Sequence, residues 1–238
     1  FAEFLNTYEA ACQPLKTPQD FYRLTLAVLE ETAKHGVVYA ETFVSPDFCG
    51  GGDVTLWREY LAAMQEAANE AERDFGITLR GIITAIRHFG PEQAKTAAKC
   101  AAETYGDFVV GFGMAGAEME GRPTDFAYSF DMAHEAGLHL TSHAGEWGGA
   151  QSVRDALDYL KVERIGHGVQ SIDDLALVFQ ACDVAKLMEG FGKLTGQRDP
   201  FLHFYETFLA AYNPSKRKAR GVWYTPEPVV NFIVRAVD

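Results

Sequence analysis

Leu138-His139-Leu140-Thr141-Ser142-His143-Ala144-Gly145-Glu146 decides the fold of this 238-residue chain, because an apolar strand over Leu138 to His143 runs straight into a polar cluster. The next strand, closed by Arg164-Ile165-Gly166-His167-Gly168, ends in the same way. An imidazole able to bind metal and a carboxyl able to shuttle protons therefore stand three residues apart on rigid backbone. That is the equipment of metal-assisted hydrolysis.

Outward from this stretch, the first 178 residues alternate between short apolar strands and amphipathic helices. The strands are expected at Val37 to Val44, Thr78 to Arg87, Phe108 to Ala115, Leu138 to His143 and Arg164 to His167. Asp53 caps a helix whose apolar positions are Leu56, Tyr60, Leu61, Met64, Ala67 and Ala68. Pro91 and Pro123 each open a helix at its first turn, Gly148 and Gly149 lead into Ala150 to Leu160, and Ile172 to Val178 starts a last helix. Strand, helix, strand with short connections implies parallel strands and right-handed crossovers.

An open doubly wound sheet and a closed barrel both satisfy that order. No Gly-x-Gly-x-x-Gly turn follows the first strand, and polar residues crowd several strand ends: Ser45, Arg87, His88, Glu118, His143, Glu146 and His167. A site gathered from many strand ends favours the (β/α)8 barrel. Eight strands need about 250 residues, so five in 178 residues make a partial TIM barrel of about five βα units, followed by a short, mostly helical C-terminal segment.

Composition is that of a globular chain, 47% hydrophobic and 23% charged, with no apolar run long enough to span a membrane. Phe1-Ala2-Glu3-Phe4-Leu5 carries an acid and reads as helix, not as a leader. The four cysteines, at 12, 49, 100 and 182, form no Cys-x-x-Cys pair, which fits reduced thiols and a cytoplasmic setting. Residues 1–178 hold 13 Lys/Arg against 27 Asp/Glu, whereas 179–238 hold 8 against 6. The acidic body argues against nucleic acid as a partner, and the concentrated positive run, Lys216-Arg217-Lys218-Ala219-Arg220, lies in the tail.

Residues 1–178 resemble the middle of the adenosine deaminases, zinc-dependent members of the amidohydrolase superfamily. The resemblance rests on Thr17-Pro18-Gln19-Asp20-Phe21-Tyr22, Val38-Tyr39-Ala40-Glu41 with Ser45-Pro46, Ala115-Gly116-Ala117-Glu118, His143-Ala144-Gly145-Glu146 and Arg164-Ile165-Gly166-His167-Gly168, in that order. It implies that His143 is a zinc ligand, that Glu146 protonates N1 of a 6-aminopurine nucleoside, and that His167 orients the attacking water. It also implies that Gly116 offers its backbone N–H to the purine. The family takes further zinc ligands from a His-x-His pair on its first strand and an aspartate on its last. The histidines at 35, 88, 134, 139 and 203 form no such pair, so the expectation is one ligand of four and weak or absent activity for this chain alone.

The tail carries a second resemblance. Asp199-Pro200, His203 to Leu209 and Arg220 to Pro228 are similar to the segment preceding the methyl-donor domain of restriction-modification adenine-N6 DNA methyltransferases. The glycine-rich donor loop and the Asn-Pro-Pro-Tyr/Phe motif of that family find no match here. The two parts read as segments joined near 177–183, as in a chimeric or truncated frame. Asp199 would cap a helix from Pro200 to Tyr212, whose Phe201, Phe204, Phe208 and Leu209 would cover an open barrel edge that otherwise invites self-association.

Several residues have plainer readings. Glu118 and Glu120 suit solvated loop acids, His88 suits a pair with a neighbouring carboxylate, and His139 suits a filler at the barrel bottom. Trp147 suits either a pocket wall or simple packing. Three functions follow: a zinc-dependent deaminase acting on a purine nucleoside, a DNA-modification segment, and a non-catalytic partial barrel.

Overall fold

Most of the helices start where the chain supplies a cap or a proline. The computed structural model describes residues 2–174. After α1 (Ala2–Cys12), α2 (Pro18–Lys34) opens with a capping box, Thr17 accepting from the Asp20 amide while the Asp20 carboxylate accepts from the Thr17 amide. In α3 (Val54–Phe75), the Asp53 carboxylate accepts from the amides of Thr55 and Leu56, both at 2.9 Å. Prolines open α4 (Pro91–Glu103) and α5 (Pro123–Glu135), and Gly149 precedes α6 (Ala150–Leu160).

The buried stripe of α3 is Trp57, Leu61, Met64, Ala67, Ala68 and Ala71, while Leu56 is exposed. The apolar face is therefore turned by one residue from the sequence expectation at its start. The indole of Trp57 decides this, being fully buried with its N–H donated to the Thr104 hydroxyl at 3.1 Å. In α4 the buried face is small, Ala94, Ala97, Ala98 and Ala101, which lets the helix lie close on the sheet.

The strands are β1 (Tyr39–Val44), β2 (Thr78–Ile86), β3 (Val109–Ala115), β4 (His139–Ala144) and β5 (Arg164–His167). All neighbouring pairs are parallel and the spatial order is β1-β2-β3-β4-β5, the same as the chain order. A doubly wound sheet reverses direction at a switch point, and this one does not, so the architecture is that of a partial barrel. In β2, consecutive residues Ile82, Ile83, Thr84 and Ala85 are all buried, the pattern of a parallel strand covered on both faces.

Curvature is visible in contacts that skip strands. Glu41 and Phe43 lie on one face of β1. Glu41 Oε2 meets the Arg164 guanidinium of β5 at 2.7 Å, and Phe43 meets the His143 ring of β4 edge-on at 5.9 Å. Residues 123 positions apart thus face each other across the concave side. The Glu41 carboxyl is held low: burial pushes it up, but hydrogen bonds from Tyr39 and Arg164 more than offset that. Because Arg164 is half exposed, with 52% side-chain accessibility, Glu41→Gln is expected to cost only about 0.5–1 kcal/mol, read as a shifted denaturation midpoint at unchanged slope.

His139 does not fill the barrel bottom. It is exposed at the start of β4 and its Nδ1 lies 2.8 Å from the Glu163 carboxylate. After β5 the chain forms a 3-10 turn over Val169–Asp174 where a helix starting at Ile172 was expected. The rest of that helix, Cys182, His203, the Pro200 to Tyr212 helix and the Lys216 to Arg220 run lie outside the described residues. Among the described residues, no helix is long and apolar enough to cross a membrane.

Candidate active site

Two strand ends bring the predicted catalytic side chains together. His143 is the penultimate residue of β4, and His167 ends β5 beside it, the register pairing His143 with Gly166 and Ala144 with His167. A Cβ on Gly166 would stand 3.0 Å from His143 Cδ2, so glycine at that position leaves the imidazole its room. His167 adopts a φ of 74°, a left-handed conformation costly for a residue with a side chain. It turns the ring onto His143, with centroids 4.6 Å apart and planes at 87°.

His167 Nε2 lies 3.4 Å from His143 Nδ1 and 3.5 Å from a Glu146 carboxylate oxygen. Ligand atoms of His143, Glu146 and His167 all fall within 4.8 Å of one another, the one such group of three among the described residues. Burial, then the field of His167, pushes the His143 pKa below its ordinary value. That shift favours the uncharged imidazole, the form that binds a metal ion. The cluster is of the kind that could hold a metal ion, with a ring nitrogen of His143, the Glu146 carboxylate and His167 facing one space.

Gly116, expected to face substrate, begins the turn after β3 with a φ of 98°. A Cβ there would come within 2.7 Å of His88 Nδ1, which instead accepts the neighbouring Ala117 N–H at 3.2 Å. His88 thus pairs with a backbone amide and not with a carboxylate. Ser45 is buried and caps the short Pro46–Phe48 turn, its hydroxyl accepting from the Asp47 amide. Glu120 is exposed, as expected of a loop acid, and the Trp147 side chain is 58% exposed.

Glu118 overturns the reading of a solvated acid. It is only 4% exposed and accepts backbone N–H groups from Gly145, Glu146, Trp147 and Gly148, at 2.5, 3.0, 2.7 and 3.1 Å, as well as the Ser152 hydroxyl. Burial would raise its pKa, but these donors together hold it below the usual carboxylate range. A carboxyl depressed in this way contributes stability above its unfolded pKa and loses that contribution as pH falls through its folded value. The local sequence signalled only an acid after a strand; its donors come 27 to 34 residues later. A cavity of about 550 Å³ adjoins it, lined by Arg87, Glu118, Gly148, Ser152, Asp155 and Tyr159 among others, but not by His143 or His167.

Residues 1–189 match the profile of the adenosine deaminase family, four-fifths of the chain and all of the site just described. The chain belongs to the adenosine deaminase family. Among curated relatives it is 42% identical over 189 residues to an adenine deaminase of Chelativorans sp. (strain BNC1), and 44% identical over 190 residues to one of Agrobacterium fabrum. Each match takes in 79% of this chain and 58% of the relative, so the chain spans little more than half the length of these proteins.

Solved structures give the same family fold. The adenine deaminase from Arthrobacter aurescens superposes with a TM-score of 0.68 at 33% identity, covering 74% of this chain and 54% of that one. An amidohydrolase from Burkhoderia ambifaria with bound Zn gives 0.63 at 32% identity, covering 70% and 46%. Residues 196–238 match a different profile, that of N-6 DNA methylase.

Proposed function

We propose that the adenosine deaminase family segment is the proton-transfer half of a zinc-dependent site that hydrolytically deaminates a 6-aminopurine. The observation that carries this is the convergence of His143, Glu146 and His167 within 4.8 Å at adjoining strand ends. His143 is the zinc ligand among them, and its neutral state suits the role. Zinc held there supplies an activated water near neutral pH and a Lewis acid for the developing charge.

The chain's own groups do the rest. Glu146 gives a proton to N1 of the purine, which makes C6 electrophilic. Water adds at C6, His167 takes up one of its protons and passes it to the amino group, and ammonia leaves as the C6 hydroxyl gives its remaining proton back to Glu146, yielding the 6-oxopurine. Gly116 presents its N–H to the ring from the neighbouring strand end, where a side chain would collide with His88. The curated relatives are named adenine deaminases, which favours the free base over the nucleoside expected from the sequence.

The two-segment organisation, a body of 1–178 followed by 179–238, belongs to the same proposal. It is supported by the change in charge and by two family matches that meet between 189 and 196. Association through the edge of β1, which pairs with no strand but β2 among the described residues and where Tyr39 and Phe43 are exposed, extends it.

The direct test follows ultraviolet absorbance during conversion of adenine to hypoxanthine, and of adenosine to inosine, with zinc in slight excess and Glu146→Gln beside the unaltered chain. Turnover of adenine by the unaltered chain is expected to be weak, with one zinc ligand of four in place, and to fall at least about 1,000-fold in the variant, since removing the acid removes a full proton-transfer step. Equal rates in both proteins would sink the assignment of Glu146.

A further inference from the structure

Glu118 and Arg87 are the two charged residues among those described that are more than nine-tenths buried, and neither belongs to the His143–Glu146–His167 side-chain cluster. They occupy successive strand ends. Arg87, just beyond β2, donates from Nε to the Glu120 carbonyl at 2.6 Å and from Nη2 to the Gly121 carbonyl at 3.2 Å. Those carbonyls belong to the turn after β3 that carries Glu118, and His88 grips the same turn through the Ala117 amide. Glu118 then reaches the turn after β4, where Oε1 takes the Gly145 amide and the Ser152 hydroxyl, and Oε2 takes the amides of Glu146, Trp147 and Gly148.

We infer that Glu118 is a positioning residue that sets the backbone bearing Glu146, with Arg87 holding the turn from which it acts. Four successive amides converging on one carboxylate cannot satisfy one another, so without it the turn must open toward water. The far side of that turn is tied to the end of β5, with Gln170 N–H donating to the Gly145 carbonyl at 2.7 Å and Gly168 N–H to the Ala144 carbonyl at 2.9 Å. Glu146 therefore projects from backbone clamped between two neighbouring strand ends. The residue deepens the proposed deaminase site and rests on that reading for its consequence in catalysis, but its effect on the backbone is measurable without turnover.

The experiment is amide hydrogen exchange on the full chain with Glu118→Gln, which keeps the volume but turns an NH2 toward backbone donors. Gly145 to Gly148 should exchange about 100-fold faster while the amides of β2 and β3 keep their protection. Unchanged exchange in the turn, or a rise spread evenly over β2 to β4, would overturn the inference. Should that variant fail to fold, Ser152→Ala removes one of the five donors and leaves the carboxylate; a rise of about fivefold confined to the same turn is expected, and none would overturn it.

With zinc supplied, Glu118→Gln should lower kcat about 100-fold with KM within about threefold, the mark of a misplaced acid and not of lost binding. A change in KM alone would count against the role. If the unaltered chain shows no turnover, the catalytic consequence fails for this chain, and localised exchange still decides what Glu118 does.

Discussion

His143→Ala is expected to weaken zinc binding by this chain on the order of 1,000-fold and, on the proposed reading, to remove whatever deamination it supports. The argument starts from its chemistry. His143 is the neutral, partly buried imidazole at the end of β4, cleared of its neighbour by Gly166 and flanked by Glu146 and His167. A carboxylate and a second imidazole alone form too sparse a set to hold the metal against water and buffer. The fold should survive, because the side chain's ring contacts are edge contacts to Phe43 and His167 and not part of the buried core. Calorimetric zinc titration checks this, with the melting temperature as control; unaltered affinity in the variant would remove His143 from the metal's ligands.

Trp57→Ala is expected to cost about 3–5 kcal/mol of stability, the range for deleting a buried aromatic side chain. The indole is fully buried in the core on α3, and its N–H is paired with the Thr104 hydroxyl at the end of α4. Deletion leaves a cavity in the core and strips Thr104 of its donor, although that hydroxyl still donates to the Cys100 carbonyl. Domains of this size are stable by about 5–15 kcal/mol, so the loss is a large part of the whole. Leu56→Ala, one residue away on the exposed face, should change stability by less than about 0.5 kcal/mol. Denaturant unfolding of the two variants separates them, and equal costs would contradict the observed face of α3.

Most of the fold was readable before any coordinates. Strand ends differ from expectation by two residues at most, because alternating runs such as Thr78 to Arg87 are bounded by strong stops. Asp53, Pro91 and Pro123 open helices for local reasons that need no tertiary partner. The pairing of His143 with His167 was also readable, since two neighbouring parallel strands that both end in histidine must bring those ends together. The rotation of α3 was not, because Leu56 and Trp57 both fit a helical stripe and only the site under the indole chooses between them.

What the sequence determined by itself was local and periodic: the order of elements, their caps, and the chemistry waiting at the strand ends. What the tertiary structure alone decided was the partner of each charge. Glu118 looks like any loop acid until four amides 27 to 30 residues onward close around it, and Glu41 finds Arg164 only because the sheet curls. Such pairings depend on where distant backbone ends up after the strands have twisted, and no propensity or spacing along the chain encodes that distance.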